Sequence, residues 1–239
     1  MSETSIKKGP INVSIVDNTG RSLPLYRHNG RYYVKAVHGL EYTIVVDSDI
    51  AGRLEVLASV DGRDTLKNAP ADLLFSDGLI ISHHAHYVVP GWGEKATSPF
   101  IFTAFDRQTV ATRATGSTQN LGVIAVAAFR EFEAPRIQHF SNFRGTTKGG
   151  PVLESYSLGS PTRGAGMGTG MGNRVDHRDL GTTHFTRANQ FTPDALVEIY
   201  AMPEWWLIEE GILPDDRDRN HDHDHPAGFT HGGNDYGLS

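Results

Sequence analysis

The sequence contains no cysteine, which excludes disulfides, thiolate metal sites and cysteine nucleophiles. It also lacks any apolar run close to the ~18 residues that a membrane helix needs. The first residues, Met1 to Val13, include two lysines but no apolar segment of a secretory signal. We therefore expect a cytoplasmic protein that no signal peptide exports and that has no membrane partner. Release in a virus particle, as part of the virion, is compatible with that expectation.

Basic residues are too few and too scattered for general nucleic-acid binding. The chain has 22 Lys and Arg against 28 Asp and Glu, a net charge of −6, and no long basic run. Neutralising phosphates requires a basic face, so we expect no direct contact with nucleic acid. Helical patterns are also scarce, whereas 26 glycines and 12 prolines indicate many turns.

Strand patterns dominate what remains. Glu41 to Gly62 reads as two strands ending at Asp61-Gly62, a strong turn signal. Leu121 to Phe132 is a nearly uncharged run that must be covered on both faces. Asn29-Gly30 predicts a tight hairpin. The sequence thus predicts an all-β fold, a β-sandwich resembling a jelly roll, with one short C-terminal helix and long loops.

Changes in residue composition along the chain divide it into four predicted regions. The helix is placed at Pro203 to Gly211, from an early proline and a closing glycine. Thr109–Asn120 reads as a Thr/Gly/Ser-rich connection before the strand at 121–132. The predicted regions are a flexible arm at 1–9, a β-sandwich core at 10–135, a segment at 136–212 that completes the fold with a Gly-rich loop, the helix and strands including Thr182–Arg187 and Ala195–Ala201, and a polar His/Asp-rich tail at 213–239.

The tail contains the densest set of metal-ligand residue types. Alternate residues His221, His223 and His225 project to one side of an extended chain and could share one Zn²⁺, Ni²⁺ or Cu²⁺ ion. The alternative is a solvated acidic tail whose histidines bind metal only adventitiously, and this is the interpretation we favour. No other cofactor is expected.

A second histidine group partly matches the first metal motif of cupins. His84 and His86 form a His-x-His pair six residues after Gly78, but the nearest following glutamate, Glu94, is too distant. With two imidazoles and no placed carboxylate, the set falls short of three protein ligands. Histidines at polar strand ends are the preferred interpretation, and a cupin-type enzyme is the weaker one.

Other chemical signals are incomplete. Gly164 to Gly172 alternates glycine but lacks the Gly-Lys-Ser/Thr ending of a phosphate loop, and no Gly-x-Ser-x-Gly nucleophile elbow occurs. Trp92 and Trp205-Trp206 could form a glycan-stacking platform, although burial in the core or at a subunit contact is favoured. No catalytic residue is predicted.

Several segments resemble a recurrent group of uncharacterised bacterial and phage-encoded β-rich proteins. The resemblance covers residues 30–212 intermittently and leaves the histidine tail outside. The segments that carry it are Glu41 to Val46, Gly52 to Gly62 with its Ser-Val-Asp-Gly end, Tyr87-Val88-Val89-Pro90, Asn120 to Glu131, Gly168 to Gly172, and Val197 to Tyr200. The resemblance implies a β-rich fold and an association with phage particles, and it supplies no catalytic residues.

Three functional hypotheses follow. The leading one is a non-enzymatic structural or assembly protein, a decoration, shell or tail-associated component of a phage-like particle that contacts copies of itself or other particle proteins. The second is a β-sandwich module that binds a glycan or a surface partner. The third is a metal-dependent enzyme of cupin type that uses His84 and His86.

Overall fold

The computed structural model describes residues 2–82, 84–94, 96–104, 109–115, 120–133, 167–171, 175–176 and 183–215. Over these residues the chain forms two β-sheets and two short helices, so the predicted all-β class is confirmed. No helix in this part of the chain is long and apolar enough to cross a bilayer.

The strands are short, mostly between two and eight residues. In chain order they are β1 (Ser2–Glu3), β2 (Ile6–Lys8), β3 (Ile11–Asp17), β4 (Leu25–His28), β5 (Arg31–Lys35), β6 (Glu41–Ser48), β7 (Leu54–Val60), β8 (Arg63–Asp64), β9 (Leu79–Ile81), β10 (His86–Val89), β11 (Gly91–Trp92), β12 (Ala96–Thr103), β13 (Val123–Arg130), β14 (Gly168–Met171), β15 (Val175–Asp176) and β16 (Ala195–Met202). The helices are α1 (Val110–Thr115) and α2 (Glu204–Glu209).

The first sheet has the order β1-β4-β5-β16-β13-β7-β8, with β9 also paired to β7. Its pairs are antiparallel except for β16 with β5, which are parallel. The second sheet has the order β11-β12-β6-β3-β2, with β10 on β6 and both β14 and β15 on β12. β16 lies in the middle of the first sheet and comes from the segment 136–212, which we expected from the sequence to complete the fold.

One apolar core joins the two sheets. Its members come from alternate positions of strands in both sheets, which is the pattern of a sandwich. Ile44 and Val46 of the second sheet and Val126 of the first are at most 1% exposed, and they belong to the same buried cluster. Phe100 and Phe102, at alternate positions of β12, are both fully buried.

Two predicted turns have the expected left-handed backbone. Asn29 and Gly30 have φ of 48° and 76°, and Asp61 and Gly62 have 54° and 73°. Positive φ at both central residues is the signature of a type I′ turn, whose twist matches that of the strands. Both hairpin predictions are confirmed.

The flexible arm expected at residues 1–9 is wrong for the part that the structure describes. Ser2 and Glu3 pair with Tyr26 and Leu25 of the first sheet, and β2 pairs with β3 of the second. Ile6 is 2% exposed. The segment therefore connects the edges of the two sheets through its strand pairing. Its single apolar side chain, Ile6, anchors it in the core.

Two further local expectations are corrected. The connection predicted at Thr109–Asn120 contains α1, whose first turn is closed by Thr109 and Thr112 hydroxyls. Residues 183–186 of the predicted strand Thr182–Arg187 are not in a strand, and Arg187 makes only a single bridge to Glu131. Two backbone bonds, from the N–H of Phe132 to Thr186 and from the N–H of Ala188 to Arg130, fix the end of that segment, and the side-chain bonds described below fix the rest.

The predicted C-terminal helix is confirmed as α2. Pro203 occupies the N-cap position, and Gly211 follows the helix with φ of 69°. A six-residue helix is marginal on its own. Packing stabilises it, because Leu207 is fully buried against the first sheet.

Candidate functional site

Trp92, a candidate ring for glycan stacking, is a core residue. It is 2% exposed and meets Phe100 edge-on, with ring centroids 5.3 Å apart. Its indole N–H donates to the carbonyl oxygen of Gly170 at 3.2 Å. The alternative of core packing is confirmed for Trp92, and a platform built on it is wrong because the ring cannot reach solvent.

The other two tryptophans lie side by side on α2 but differ in exposure. Trp206 packs against Tyr33 with centroids 5.5 Å apart, whereas Trp205 is 61% exposed. Trp205 is therefore the one described tryptophan that can present its ring to a partner.

The histidines at the start of β10 lie on the surface. His86 places Nδ1 2.7 Å from Oδ1 of Asp47 on the paired strand β6. His84 sits in the preceding turn with φ of 47°. Within the described ranges, no group of three or more His, Asp and Glu side chains is arranged to hold a metal ion. His83, the Gly-rich residues 164–166 and 172, and the tail ligands His221, His223 and His225 lie outside the described residues.

The outer face of the first sheet is covered at its two ends by different parts of the chain. At one end α2 lies over a row of tyrosines, and Tyr33 and Tyr200 have centroids 5.7 Å apart. At the other end Leu57, Ala127 and Phe129 form a small cluster, against which Leu73 packs. Between the two ends the register aligns the smaller side chains of Ser59 and Ala125.

Arg187 organises the second of these ends. Its Nε donates to Oε2 of Glu55 at 2.5 Å, and its Nη1 donates to the carbonyl oxygen of Leu73 at 2.5 Å. The guanidinium carbon lies 3.9 Å from the ring centroid of Phe129. The Arg187 and Glu55 side chains are only 11% and 13% exposed. A paired charge at this depth is a fixed structural element rather than a mobile surface pair.

The same ion pair holds two loops together. Glu55 Oε1 accepts the backbone N–H of Gly78 at 3.2 Å, so both ends of the turn between Leu73 and Gly78 are bonded to it. Arg187 Nη1 also lies 3.5 Å from the carbonyl oxygen of Gln190. We call these residues, Glu55 and Arg187 with the loop ends they bond, the arginine hub.

A second arginine fixes the residues that lead into the hub. Arg53 binds the carboxylate of Glu131 through two nitrogens, with Nε 2.7 Å from Oε2. Its Nη2 donates to the carbonyl oxygen of His184 at 3.0 Å, and its guanidinium lies 5.8 Å from the ring centroid of Phe185. Hydrogen bonding to Glu131 raises the pKa of Arg53, and the arginine lowers the pKa of Glu131 in turn.

Around the hub, large apolar side chains face solvent. The four residues that we call the apolar rim are exposed by 42% to 83%: Leu74, Phe75, Phe132 and Phe191. Leu74 and Phe75 follow the residue bonded to Arg187, and Phe191 follows Gln190. The N–H of Phe132 donates to Thr186, the neighbour of Arg187, at 2.7 Å. The rim residues are therefore exposed apolar side chains on loops that hydrogen bonds hold in place.

A buried carboxylate lies in a separate place, at the β7–β8 turn. Asp61 is 3% exposed. Its Oδ1 accepts the N–H of Gly122 at 2.8 Å, and its Oδ2 accepts the N–H of Thr169 at 2.5 Å. Beside it, the Tyr42 hydroxyl and Thr169 Oγ1 are 2.7 Å apart. Burial raises the pKa of Asp61 to about 7, against the lowering effect of the two N–H bonds.

Sequence reasoning predicted neither the hub nor the burial of Asp61. Glu55 and Arg187 are 132 positions apart, and no spacing rule links residues so distant. Asp61 was recognised only as a turn residue. The outward position of Glu55 between buried Leu54 and Val56 was the one signal available, and it also fits an ordinary solvated strand face.

Comparison of the chain with protein-family models, with curated proteins and with solved structures finds no match.

Proposed function

We propose that this chain is a non-enzymatic structural protein that assembles with copies of itself or with other proteins of a phage-like particle, as a decoration, shell or tail-associated component. The virion and the cytoplasm of the producing cell are its proposed locations. The observation that carries the proposal is the apolar rim held by the arginine hub.

The rim is costly to leave in water. Burying a large apolar side chain contributes roughly 1.5–3 kcal/mol, yet Phe75 is 83% and Phe191 is 56% exposed. Large apolar side chains that are exposed around one hydrogen-bonded group of loops are a candidate interaction site. The loops that carry these rings are fixed by the pair of Glu55 and Arg187, so binding a partner would lose little conformational entropy.

The resemblance to phage-encoded β-rich proteins supports the same proposal. It gives the particle as the setting, whereas the rim gives the surface through which a subunit would contact its neighbour.

Self-association tests the rim directly. In sedimentation velocity at increasing protein concentration, we expect the wild type to form oligomers. The double variant Phe75→Ser, Phe191→Ser should weaken association tenfold or more in Kd, about 1.4 kcal/mol. Val37→Ser is the matched control, because Val37 is 50% exposed but does not belong to the rim. Equal association of wild type and double variant would remove the rim from the proposal.

Glycan binding is a second candidate, and the exposure of Trp205 favours it. The ring is 61% exposed on α2, beside Glu204, which pairs with Lys35 at 3.0 Å. An exposed aromatic face beside polar groups is suited to stacking on a sugar. A glycan array probed with wild type and Trp205→Ala tests this, and an array without a signal that depends on Trp205 would exclude it.

A further inference from the structure

Asp61 connects three chain segments that are distant in sequence. It lies in the turn between β7 and β8 of the first sheet, and its bonds reach Gly122, just before β13, and Thr169 of β14 in the second sheet. One carboxylate therefore bonds both sheets. The neighbouring Met167 adds a backbone bond from its N–H to Ala201 of β16 at 3.0 Å.

The backbone is built closely around this carboxylate. Gly122 has φ of 77°, and a Cβ there would lie 2.8 Å from the carbonyl oxygen of Ala201 and 3.0 Å from that of Met167. Only glycine allows this approach. The N–H of Gly122 can thus reach Asp61 because no side chain separates the segments.

No cation compensates the charge of Asp61 among the described residues that surround it. The Tyr42 hydroxyl of β6 is the titratable group beside it, and burial raises the pKa of this tyrosine well above its ordinary value, so that it stays neutral. β14 contributes Thr169, and the segment before β13 contributes Asn120, neither of which titrates. The charged groups of β8 have other partners, because Arg63 donates to Asn68 and Asp64 accepts the N–H groups of Leu66 and Lys67. The cation of α1, Arg113, is exposed to solvent.

We propose that Asp61 is a pH-sensitive latch between the two sheets, which holds β14 and Gly122 to the β7–β8 turn more firmly at acidic pH than at neutral pH. This inference is independent of the proposed assembly function, because it concerns the interior of one subunit and not its rim.

The direction follows from proton linkage. In the latched state the pKa of Asp61 is about 7, against an ordinary value of 3.8 once the carboxylate reaches water. The latched state therefore binds the proton more tightly. Its advantage is full below about pH 4, falls as the pH rises through 7, and levels off above that value. Between about pH 5 and about pH 8 the opening equilibrium should rise roughly a hundredfold.

Amide hydrogen exchange on the full chain tests the latch. Exchange rates of the Thr169 and Gly122 amides, corrected for the intrinsic pH dependence of exchange, should give an opening constant that rises between pH 5 and 8 with a midpoint near 7. In Asp61→Asn the profile should be flat. Asp17→Asn, which changes a buried carboxylate of β3 that bonds to Thr19 and Arg21 and makes no bond to the β7–β8 turn, is the matched control and should keep the wild-type profile.

Two outcomes would overturn the latch. One is a flat profile in the wild type, and the other is an unchanged profile in Asp61→Asn. If that variant does not fold, the ¹³Cγ shift of Asp61 followed against pH in the wild type decides, because a midpoint at or below about 5 would contradict the proposal. None of these outcomes depends on whether the chain assembles into particles.

Discussion

At the scale of single residues, Asp17 and Asp61 are carboxylates with opposite surroundings. Asp17 accepts bonds from the hydroxyl of Thr19, at 2.6 Å, and from the backbone N–H groups of Thr19 and Arg21. These bonds, the hydroxyl of Thr19 first among them, lower the pKa of Asp17 to about 2. At Asp61 burial outweighs two similar bonds and raises the pKa. Hydrogen bonding decides the first case and desolvation the second.

Asp17→Asn should destabilise the protein at neutral pH and change its acid response. Because the folded pKa of Asp17 is lowered, its stabilisation is present above about pH 4 and is lost as the pH falls toward 2. The gap in the free energy of unfolding between wild type and variant should therefore close over that interval. Urea unfolding at a series of pH values measures it, and a gap that stays constant down to pH 2 would contradict the assignment.

Asp61→Asn should change the dependence of the free energy of unfolding on pH between about pH 4 and about pH 7. Since its folded pKa is raised, Asp61 stabilises the wild type most below about pH 4, and this contribution falls as the pH rises through 7. The free energy of unfolding of the wild type should decline over that interval more steeply than that of Asp61→Asn. The same urea series measures both variants, and parallel profiles would rule against a titrating Asp61.

Measuring retained metal distinguishes a site at the tail histidines from a site at His84 and His86. The triple variant His221→Ala, His223→Ala, His225→Ala should lower any divalent metal that the untagged chain retains, because alternate histidines can share one ion. His84→Ala with His86→Ala should leave it unchanged, since His86 has only Asp47 as a neighbouring carboxylate partner within hydrogen-bond distance in the described structure. Elemental analysis after dialysis measures both, and stoichiometric metal lost only from the second variant would favour the cupin hypothesis.

At the scale of elements, local signals predicted hairpins well and long-range anchors poorly. The Asn29-Gly30 and Asp61-Gly62 turns need positive φ, and the residue types say so directly. The strand expected at Thr182–Arg187 has a plausible pattern, but side-chain bonds of Arg53 and Arg187, with one backbone bond at Thr186, hold that segment in place of a ladder. Such bonds join positions more than a hundred residues apart, which pattern analysis does not sense. The sequence does not indicate the strands within the expected arm at 1–9, because its one buried residue, Ile6, stands among polar neighbours.

Breaking the arginine hub should destabilise the fold. Arg187→Met leaves Glu55 charged and largely buried without its partner, at a cost of about 3–5 kcal/mol. The double variant Glu55→Gln, Arg187→Met should recover part of that loss, because no unpaired charge remains. Urea unfolding gives all three free energies of unfolding.

An exposed ion pair supplies the matched control for the hub. Lys67 and Asp77 are bonded, but their side chains are 56% and 69% exposed, so Lys67→Met should cost less than ~1 kcal/mol. An equal cost for Lys67→Met and Arg187→Met would contradict the structural role of the hub.

At the scale of the whole molecule, the described part of the chain is a scaffold whose distinctive features lie on its surface and at one internal junction. The all-β fold followed from strand alternation and turn residues, because both are local properties of the sequence. The rim did not, since the exposure of Phe75 and Phe191 depends on how distant loops meet. The favoured core position holds for Trp92 but not for Trp205, because the sequence cannot say which of three tryptophans faces water.

We propose that the chain is a structural component of a particle. The most direct measurement is quantitative mass spectrometry of gradient-purified particles from producing cells, set against the supernatant of the same gradient. We predict that the chain remains with the particles at a fixed copy number, and that Phe75→Ser with Phe191→Ser lowers that number whereas Val37→Ser does not. A chain found only in the supernatant, as a dispersed monomer, would contradict the account.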